Sequence, residues 1–330
     1  MQFDQLKRRE FMTLLGGAAA WPLAARAQQD RRRLVGVVAG FSEPEMRPQI
    51  TALRSKLREL GWTEGQNLET DARLSAGDFQ RLTVEAGSLV GRNPDVIVTM
   101  GTPGLNAVRH HTKSIPVVFT LVADPVRLGL IDSLARPGGH ATGFTNFELS
   151  IGQKWLELIR DVSPRLARVT IINNPANPTA SQMSRPVEDA GRTLSIQVST
   201  AFVRSAKEIE SAIQSAAQQP DTGIIVIPDS FAVVHSDLIL RLVVHHRLPA
   251  IYPFRLFALK GGLLTYGLDI PEIYRQAAEY ADRILRGDKP SDLPVQAPNK
   301  FELIVNLKTA TALGLNVPPT LLARADEVIE

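Results

Sequence analysis

The sequence predicts an α/β protein made of two similar lobes, each a doubly wound parallel sheet, joined by a hinge that the chain crosses several times. Short apolar runs alternate with segments of helical periodicity over residues 34–146 and again over residues 147–266. Strands that alternate with helices of this length form parallel sheets with right-handed crossovers. The segments after residue 266 are too few for a third domain, so we expect them to complete the two lobes.

The first series begins with an apolar run at residues 34–39, which is typical of a strand buried on both faces. Apolar residues from Ile50 to Leu60 recur at spacings of three and four, and they predict a helix that Gly61 ends. The same alternation predicts further strands at 68–74, 95–99, 116–122 and 141–144, and helices at 79–90, 102–111 and 126–135.

The second series follows a break at residues 136–139, Arg-Pro-Gly-Gly. It predicts helices at 151–162, 209–217 and 231–246, and strands at 168–172, 195–202, 223–227 and 249–252. Three later segments predict a strand at 263–266, a helix at 271–285 and a strand at 301–306.

These elements define the expected domain boundaries. Lobe 1 spans 34–146 and is completed by about 267–290, whereas lobe 2 spans 147–266 and is completed by about 291–330. Several chain crossings between two lobes suit a hinge that closes around a ligand.

The first 27 residues have the layout of a signal peptide. Basic residues at positions 7–9 precede an apolar run at 11–23, and small residues lead to a cleavage site near Ala27. The apolar run has 13 residues, fewer than the roughly 20 of a membrane span. We therefore expect export and a periplasmic location, with a retained anchor or a cytosolic helix as the alternative.

The arginine pair within this segment points to one export route. Arg8-Arg9-Glu10-Phe11-Met12 is similar to a twin-arginine signal, which addresses a folded protein to export. Lys7 stands where serine or threonine is commoner, so the general secretory route stays open. The chain has no cysteine, which excludes disulfides and a lipid-modified cysteine.

The charge balance gives no reason to expect nucleic acid as a partner. The chain has 37 basic and 34 acidic residues, and residues 1–27 hold four of the first and two of the second. The remainder is nearly neutral, whereas a nucleic-acid-binding protein needs a concentrated basic face. We expect a monomer that binds a small molecule.

Candidate binding residues of lobe 1 follow its strands, because ligands of open parallel sheets sit beyond the carboxyl ends of the strands. The first strand ends near Phe41 and Ser42. Gly101, Thr102 and Pro103 follow the strand at 95–99 and begin a helix, whose free N–H groups and hydroxyl would suit a carboxylate. An ordinary capped helix start is the alternative.

Further candidates stand at later strand ends. Asp124 and Asp229 could each accept hydrogen bonds from a ligand ammonium group, or each could cap the following helix. The remaining candidates are polar or aromatic residues that end strands: Asn173, Asn174, Tyr252 and Tyr266. The tyrosines would supply flat walls or hydroxyl donors, or would belong to the core or rim.

The sequence contains few motifs that would indicate catalysis. The chain has no Walker phosphate loop, no dinucleotide glycine fingerprint after the first strand and no G-x-S-x-G nucleophile elbow. The pairs His110-His111 and His245-His246 lack the spacing of metal ligands. We expect no cofactor, no metal and no enzymatic activity, and instead the capture of a small polar metabolite.

Several ordered segments resemble the tryptophan/tyrosine-type family of bacterial ABC-transporter substrate-binding proteins. They are Leu-Gly-Trp-Thr-Glu-Gly-Gln-Asn at 60–67, Gly-Thr-Pro at 101–103, Ala-Asp-Pro-Val at 123–126 with Gly-Leu at 129–130, Arg-Pro-Gly-Gly at 136–139 with Thr-Gly at 142–143, Asn-Asn-Pro-Ala-Asn-Pro at 173–178, Lys-Phe-Glu-Leu at 300–303, Asn-Leu-Lys-Thr-Ala at 306–310 and Pro-Pro at 318–319. The resemblance covers roughly residues 34–330 and is specific for the family, not for the ligand.

The resemblance implies a type I periplasmic-binding fold and a periplasmic solute receptor of an ABC importer, whose partner is an ABC permease in the inner membrane. Thr102 and nearby amides would hold a carboxylate, and Asp124 or Asp229 the amino group, of an amino acid or aromatic acid. The loop at 41–46 departs from the small, Ser/Gly-rich stretch of common members, so the ligand can differ. The alternatives are a ligand-sensing subunit of a signalling system and an exported enzyme.

Overall fold

The computed structural model describes residues 32–145, 151–177, 180–297 and 300–330. The predicted signal peptide at 1–27 lies outside the described residues. Within the described chain, two separate sheets of mostly parallel strands are each flanked by helices. This arrangement confirms the predicted α/β fold class.

Lobe 1 is built on a fully parallel five-stranded sheet in the order β2-β1-β3-β4-β5. Its strands are β1 (Arg33–Ala39), β2 (Leu68–Leu74), β3 (Val96–Met100), β4 (Val117–Val122) and β5 (Ala141–Thr145). Its helices are α1 (Glu43–Glu59), α2 (Phe79–Gly91) and α3 (Gly101–His111). Strands β3 and β4 are buried along their whole length, as their continuous apolar runs predict.

Lobe 2 is built on a seven-stranded sheet, listed from one edge as β7-β6-β8-β9-β10-β11-β12. Its strands are β6 (Arg168–Asn173), β7 (Gln197–Phe202), β8 (Thr222–Val226), β9 (Ala250–Tyr252), β10 (Leu264–Leu268), β11 (Phe301–Asn306) and β12 (Glu327–Ile329). The first five have the order found in lobe 1, so the two lobes share one topology. Strand β11 pairs antiparallel with β10, and all other strand pairs described in this sheet are parallel.

The helices after β5 are distributed along lobe 2 and the hinge. They are α4 (Ile151–Val162), α5 (Ala180–Leu194), α6 (Ala206–Ala217), α7 (Ser230–Val234), α8 (Ser236–His245), α9 (Arg255–Leu259), α10 (Ile270–Leu285), a 3-10 turn (Pro290–Asp292), α11 (Leu307–Leu313) and α12 (Pro319–Leu322). The predicted helix at 231–246 is divided between α7 and α8 at His235, which caps both.

The chain returns to lobe 1 through α10, which packs along α1 and against β3, β4 and β5. The Asp282 carboxylate accepts a hydrogen bond from the Trp62 indole N–H at 2.7 Å, and Arg286 lies over the same ring. After α10, Gln296 pairs with β5 by backbone hydrogen bonds to Gly143 and Thr145. The last crossing to lobe 2 therefore falls after residue 296, later than the expected boundary near 290.

The helix predicted at 126–135 does not form. Successive turns replace it, closed by hydrogen bonds from Gly129 N–H to the Val126 carbonyl and from Leu130 N–H to the Pro125 carbonyl. Gly129 has a φ of 63° and Asp124 a φ of 40°, in the left-handed region that ends helices. The apolar spacing of this short segment predicted a helix, but the left-handed backbone at Asp124 and Gly129 favours turns instead.

Candidate ligand-binding cleft

A cavity lies between the two lobes at the carboxyl ends of their strands. Lobe 1 contributes Gly40, Phe41, the beginning of α2 and the turn from β3 to α3. Lobe 2 contributes Asn177, the turn at 228–230 and Phe254. The cavity holds about 520 Å³ of space not filled by atoms, part of it open to solvent.

On the lobe 1 side, the turn from β3 to α3 presents hydrogen-bond donors. Gly101 adopts a φ of 73°, which lets the backbone turn directly from the strand into the helix. The Thr102 side chain is 3% exposed, and its hydroxyl has no hydrogen-bond partner among the described residues. Since the first amides of a helix also lack intrahelical acceptors, this turn suits a carboxylate.

On the lobe 2 side, the turn from β8 to α7 presents an acceptor, the Asp229 carboxylate. Its Oδ1 accepts hydrogen bonds from the Phe231 amide at 2.8 Å and from the Asn174 side chain at 3.2 Å. Its Oδ2 accepts one from the Asn177 side chain at 2.9 Å. These neutral donors fix the orientation of the carboxylate and leave its charge uncompensated.

Burial makes that charge costly. Asp229 is 6% exposed, and the loss of hydration raises the pKa of its carboxyl group, although the hydrogen bonds from Asn174 and Asn177 oppose the rise. No cation of the described chain acts on it. A buried carboxylate that faces a cavity without a cationic partner is suited to a cationic ligand group.

Apolar and aromatic side chains form the rest of the wall. Phe41 and Phe79 of lobe 1 and Phe254 of lobe 2 all line the cavity. Leu121 adopts a φ of 56°, which is strained for a leucine, where the pairing of β4 with β5 shifts its register. Such irregularities re-aim side chains next to binding sites, and Leu121 lines this cavity.

The two lobes touch at the edge of the cleft. A Cβ added to Gly40 of lobe 1 would lie 2.9 Å from Ser230 Oγ of lobe 2, and one added to Gly77 would lie 3.5 Å from Val234 Cγ2. Glycine at position 40 therefore permits a backbone approach that any side chain would obstruct. The two lobes are therefore in close contact along this edge of the cleft.

Five of the predicted site residues line the cavity, namely Phe41, Gly101, Thr102, Pro103 and Asp229. Ser42 lies beside it at the beginning of α1, where its amide donates to the Glu45 carboxylate at 3.0 Å. Asp124 lies outside: its side chain is 40% exposed and pairs with Arg127 at 2.8 Å. Of the two aspartates, the structure brings only Asp229 to the cleft.

Four other predicted residues do not line the cavity. Asn174 supports Asp229, whereas the Asn173 side chain donates to Ser184 Oγ at 2.8 Å within lobe 2. Tyr252 is fully buried and stacks on Phe257, so it belongs to the core of lobe 2 instead of forming a ligand wall. Tyr266 stacks on Phe301 along β10 and β11, also away from the cavity.

The sequence reasoning missed several lining residues. Phe254, Asn177 and Ser230 follow strand ends by a few positions, so a wider window beyond each strand would have included them. Leu121 gave no signal, because its inward placement depends on the irregular end of β4. No group of three His, Asp or Glu residues in the described parts of the chain is placed to hold a metal ion.

The fold and the cleft together define a class, the two-lobed solute-binding proteins that close around a small ligand. Residues 34–329 match the ABC transporter substrate binding protein family. The chain belongs to this family. None of the helices that the structure describes is long and apolar enough to cross a membrane.

Relatives support the same assignment. The chain is 25% identical to a "Tyrosine-binding protein" of Clostridioides difficile, over 88% of this chain and 83% of the relative. A conserved domain protein of Vibrio cholerae has a TM-score of 0.84 and 28% identity, covering 90% of this chain and 100% of that one. A Streptococcus pneumoniae ABC domain solved in complex with L-Trp has a TM-score of 0.83 and 23% identity, with the same coverage.

Proposed function

We propose that this chain is the periplasmic receptor of an ABC importer and that it captures an α-amino acid without chemical turnover. The observation that carries the proposal is the uncompensated Asp229 carboxylate, buried at the cleft. An amino acid supplies the missing cation through its ammonium group. The relatives named for tyrosine and solved with L-Trp support the same ligand class.

The opposite wall fits the other end of such a ligand. The Thr102 hydroxyl and the first amides of α3 are donors without acceptors, and a carboxylate would satisfy them. One ligand that bonds to both lobes would favour the closed arrangement over an open one. Delivery to a permease would then follow from recognition of the closed lobes, and the predicted signal peptide supports a location outside the cytoplasm.

A thermal-shift screen of the purified chain tests this proposal. The panel contains the twenty amino acids, their amine and acid analogues, and neutral sugars as controls. A ligand that binds only the folded state stabilises the protein by about 2.7 kcal/mol when its concentration is 100 times its Kd, and the melting temperature rises as a result. We expect a shift with at least one amino acid and with no sugar.

The fate of the bound molecule separates a receptor from an enzyme. We expect mass spectrometry to recover the amino acid unchanged after prolonged incubation with the protein. Recovery of a product would refute the receptor assignment, and shifts with sugars alone would refute the amino-acid ligand.

A further inference from the structure

Two loops of lobe 2 meet at the Asp229 carboxylate. Strands β6 and β8 are neighbours in the sheet, so their carboxyl ends lie side by side, and the Ile227 amide donates to the Ile172 carbonyl at 3.2 Å. The loop after β8 contains Asp229, whereas β6 ends in the sequence Asn-Asn-Pro-Ala-Asn at 173–177. The asparagines of one loop therefore lie next to the acidic group of the other.

The loop after β6 is folded into a tight turn by its own sequence. The Asn177 amide donates to the Asn174 carbonyl at 3.0 Å, and the Ala176 amide donates to the Asn174 side-chain oxygen, also at 3.0 Å. Pro175 stands at the second position of this turn, where its fixed φ is favoured. Because the side-chain oxygen of Asn174 faces the Ala176 amide, its amide nitrogen is left to donate to Asp229.

The two asparagine side chains bind different oxygens of the same carboxylate. Asn174 donates to Asp229 Oδ1 at 3.2 Å, and Asn177 donates to Asp229 Oδ2 at 2.9 Å. The Asn177 side chain also lies 3.4 Å from the Pro228 carbonyl, which ties the two loops together. Rotation of the carboxylate would break at least one of these hydrogen bonds, so the pair restricts its orientation.

Both donors are neutral, which matters for a ligand with a positive charge. Their hydrogen bonds lower the pKa of Asp229 against the larger rise that burial causes. A lysine or arginine in either place would also favour the ionised carboxyl group, but it would neutralise the charge. The asparagine pair favours ionisation and leaves the negative charge available to a cation.

The two asparagines differ in their access to a ligand. Asn177 lines the cavity and Asn174 does not, although they are only 9% and 6% exposed. We propose that Asn174 and Asn177 are positioning residues, which hold the Asp229 carboxylate in its binding orientation before a ligand arrives. Binding then does not have to order this side chain, and the affinity is higher as a result. This inference rests on the proposed function, which assigns the ligand ammonium group to Asp229.

Leucine substitutions test the pair, because leucine is similar in size to asparagine and has no side-chain N–H group. Titration calorimetry of the purified full chain uses the amino acid that gives the largest thermal shift. We expect Asn174→Leu and Asn177→Leu each to raise its Kd about 2- to 10-fold, since the released carboxylate must be ordered on binding.

Asn173→Leu is the matched control. Asn173 is also buried and donates within lobe 2, to Ser184 Oγ at 2.8 Å, but it does not line the cavity. Its substitution removes a comparable hydrogen bond from the same loop without touching Asp229. We expect the Kd to stay within about twofold of the wild type.

Two further readouts separate positioning from a general loss of structure. In Asn174→Leu the amine analogue of the amino acid should lose affinity, whereas the acid analogue without the ammonium group should bind as it does to the wild type. Loss of a donor should also raise the pKa of Asp229 further. The affinity of both leucine variants should therefore fall on acidification from a higher pH than in the wild type, and Asn173→Leu should keep the wild-type profile.

Asn174→Ser replaces Asn174→Leu if that variant does not fold. A serine hydroxyl can accept the Ala176 amide in the same kind of turn, but serine lacks the amide nitrogen that donates to Asp229. We expect the same changes in Kd and in pH dependence.

The contrary outcomes are distinct. An unchanged Kd and pH dependence in folded Asn174→Leu would overturn the positioning role, and so would an equal loss in Asn173→Leu. Either result would leave the receptor function intact. If the wild type binds none of the twenty amino acids, the positioning role and the proposed function are both overturned.

Discussion

The two lobes place opposite chemistry at the same point of one topology. Strands β3 and β8 hold equivalent positions in their sheets, and each ends at the cleft in a turn that begins a helix. The turn after β3 offers donors at Gly101 and Thr102, whereas the turn after β8 offers the Asp229 carboxylate. The shared fold therefore places the two turns at the same cleft, and the residues of each turn decide its polarity.

The two turns also differ in how many hydrogen bonds their polar side chains make within the chain. Asp229 is held by three hydrogen bonds from its own lobe, whereas the Thr102 hydroxyl has no partner within the described residues. Lobe 2 thus presents a carboxylate of fixed orientation, whereas the hydroxyl in lobe 1 would gain a hydrogen bond when a ligand supplies an acceptor. A zwitterionic ligand would complement both turns at once, which links recognition to lobe closure.

The largest expected effect comes from removing the charge of lobe 2. Asp229→Asn keeps the shape of the side chain and should weaken amino-acid binding by about 1.5–3 kcal/mol, or roughly 10- to 150-fold, because it loses a charged hydrogen bond. Titration calorimetry measures the change. Asp124→Asn is the matched control, since Asp124 is exposed and outside the cleft; a loss confined to that variant would contradict the assignment.

The next effect tests the contact between the lobes. Gly40→Ala would place a methyl group 2.9 Å from Ser230 Oγ, so closure should cost about 1–2 kcal/mol more and the Kd should rise about 5- to 30-fold. The melting temperature without ligand should change little, because the lobes can open. Gly91→Ala adds the same group where no atom lies within 4 Å, and an equal loss there would refute the closure argument.

A smaller effect is expected in lobe 1, with opposite signs for binding and folding. Thr102→Val removes one donor and should weaken binding by about 0.5–1.5 kcal/mol. The unliganded protein should melt at a higher temperature, because a buried hydroxyl without a partner is replaced by a methyl group. Thr102→Ser keeps the hydroxyl and should bind like the wild type. A lower melting temperature for Thr102→Val would show that the hydroxyl has a structural partner.

The pH dependence is the most gradual effect. Burial raises the pKa of Asp229 above its ordinary value of 3.8, and only the ionised form attracts an ammonium group. Affinity should fall on acidification from a higher pH than an exposed aspartate would give. The unliganded protein should show the opposite trend: this carboxyl stabilises the fold most below its unfolded-state pKa, and the contribution is lost as pH rises through the folded-state pKa.

Titration and melting curves recorded from the ordinary aspartate pKa of 3.8 upwards measure both trends. Asp229→Asn should remove the pH dependence that ionisation of Asp229 gives to the affinity and to the melting temperature. A wild-type affinity that stays constant over this range would contradict the proposed ion pair.

The sequence predicted the parts of the site that local rules decide. Gly101 and Thr102 follow a continuous apolar strand and precede a helical pattern, so the sequence predicted their position beyond the carboxyl end of that strand. Asp229 stood in the same relation to β8. The two-lobed topology followed from the alternation of strands and helices, together with the segments that return after residue 266.

The choice between similar candidates needed the structure. Asp124 and Asp229 both follow strands, but a φ of 40° and a pair with Arg127 turn the first towards solvent. Tyr252 ends a strand as expected, yet it stacks in the core because its neighbour Phe257 folds back onto it. Such outcomes depend on contacts between segments, which residue order alone does not contain.

In the proposed complex, lobe 2 would bind the ammonium group and lobe 1 the carboxylate of one zwitterionic ligand. The most direct test titrates the best-binding amino acid, its amine without the carboxylate and its acid without the ammonium against the wild type, Asp229→Asn and Thr102→Val. We expect Asp229→Asn to weaken the binding of the amine but not of the acid, and Thr102→Val to weaken the binding of the acid but not of the amine. The reverse pattern, or equal losses for both analogues in both variants, would contradict it.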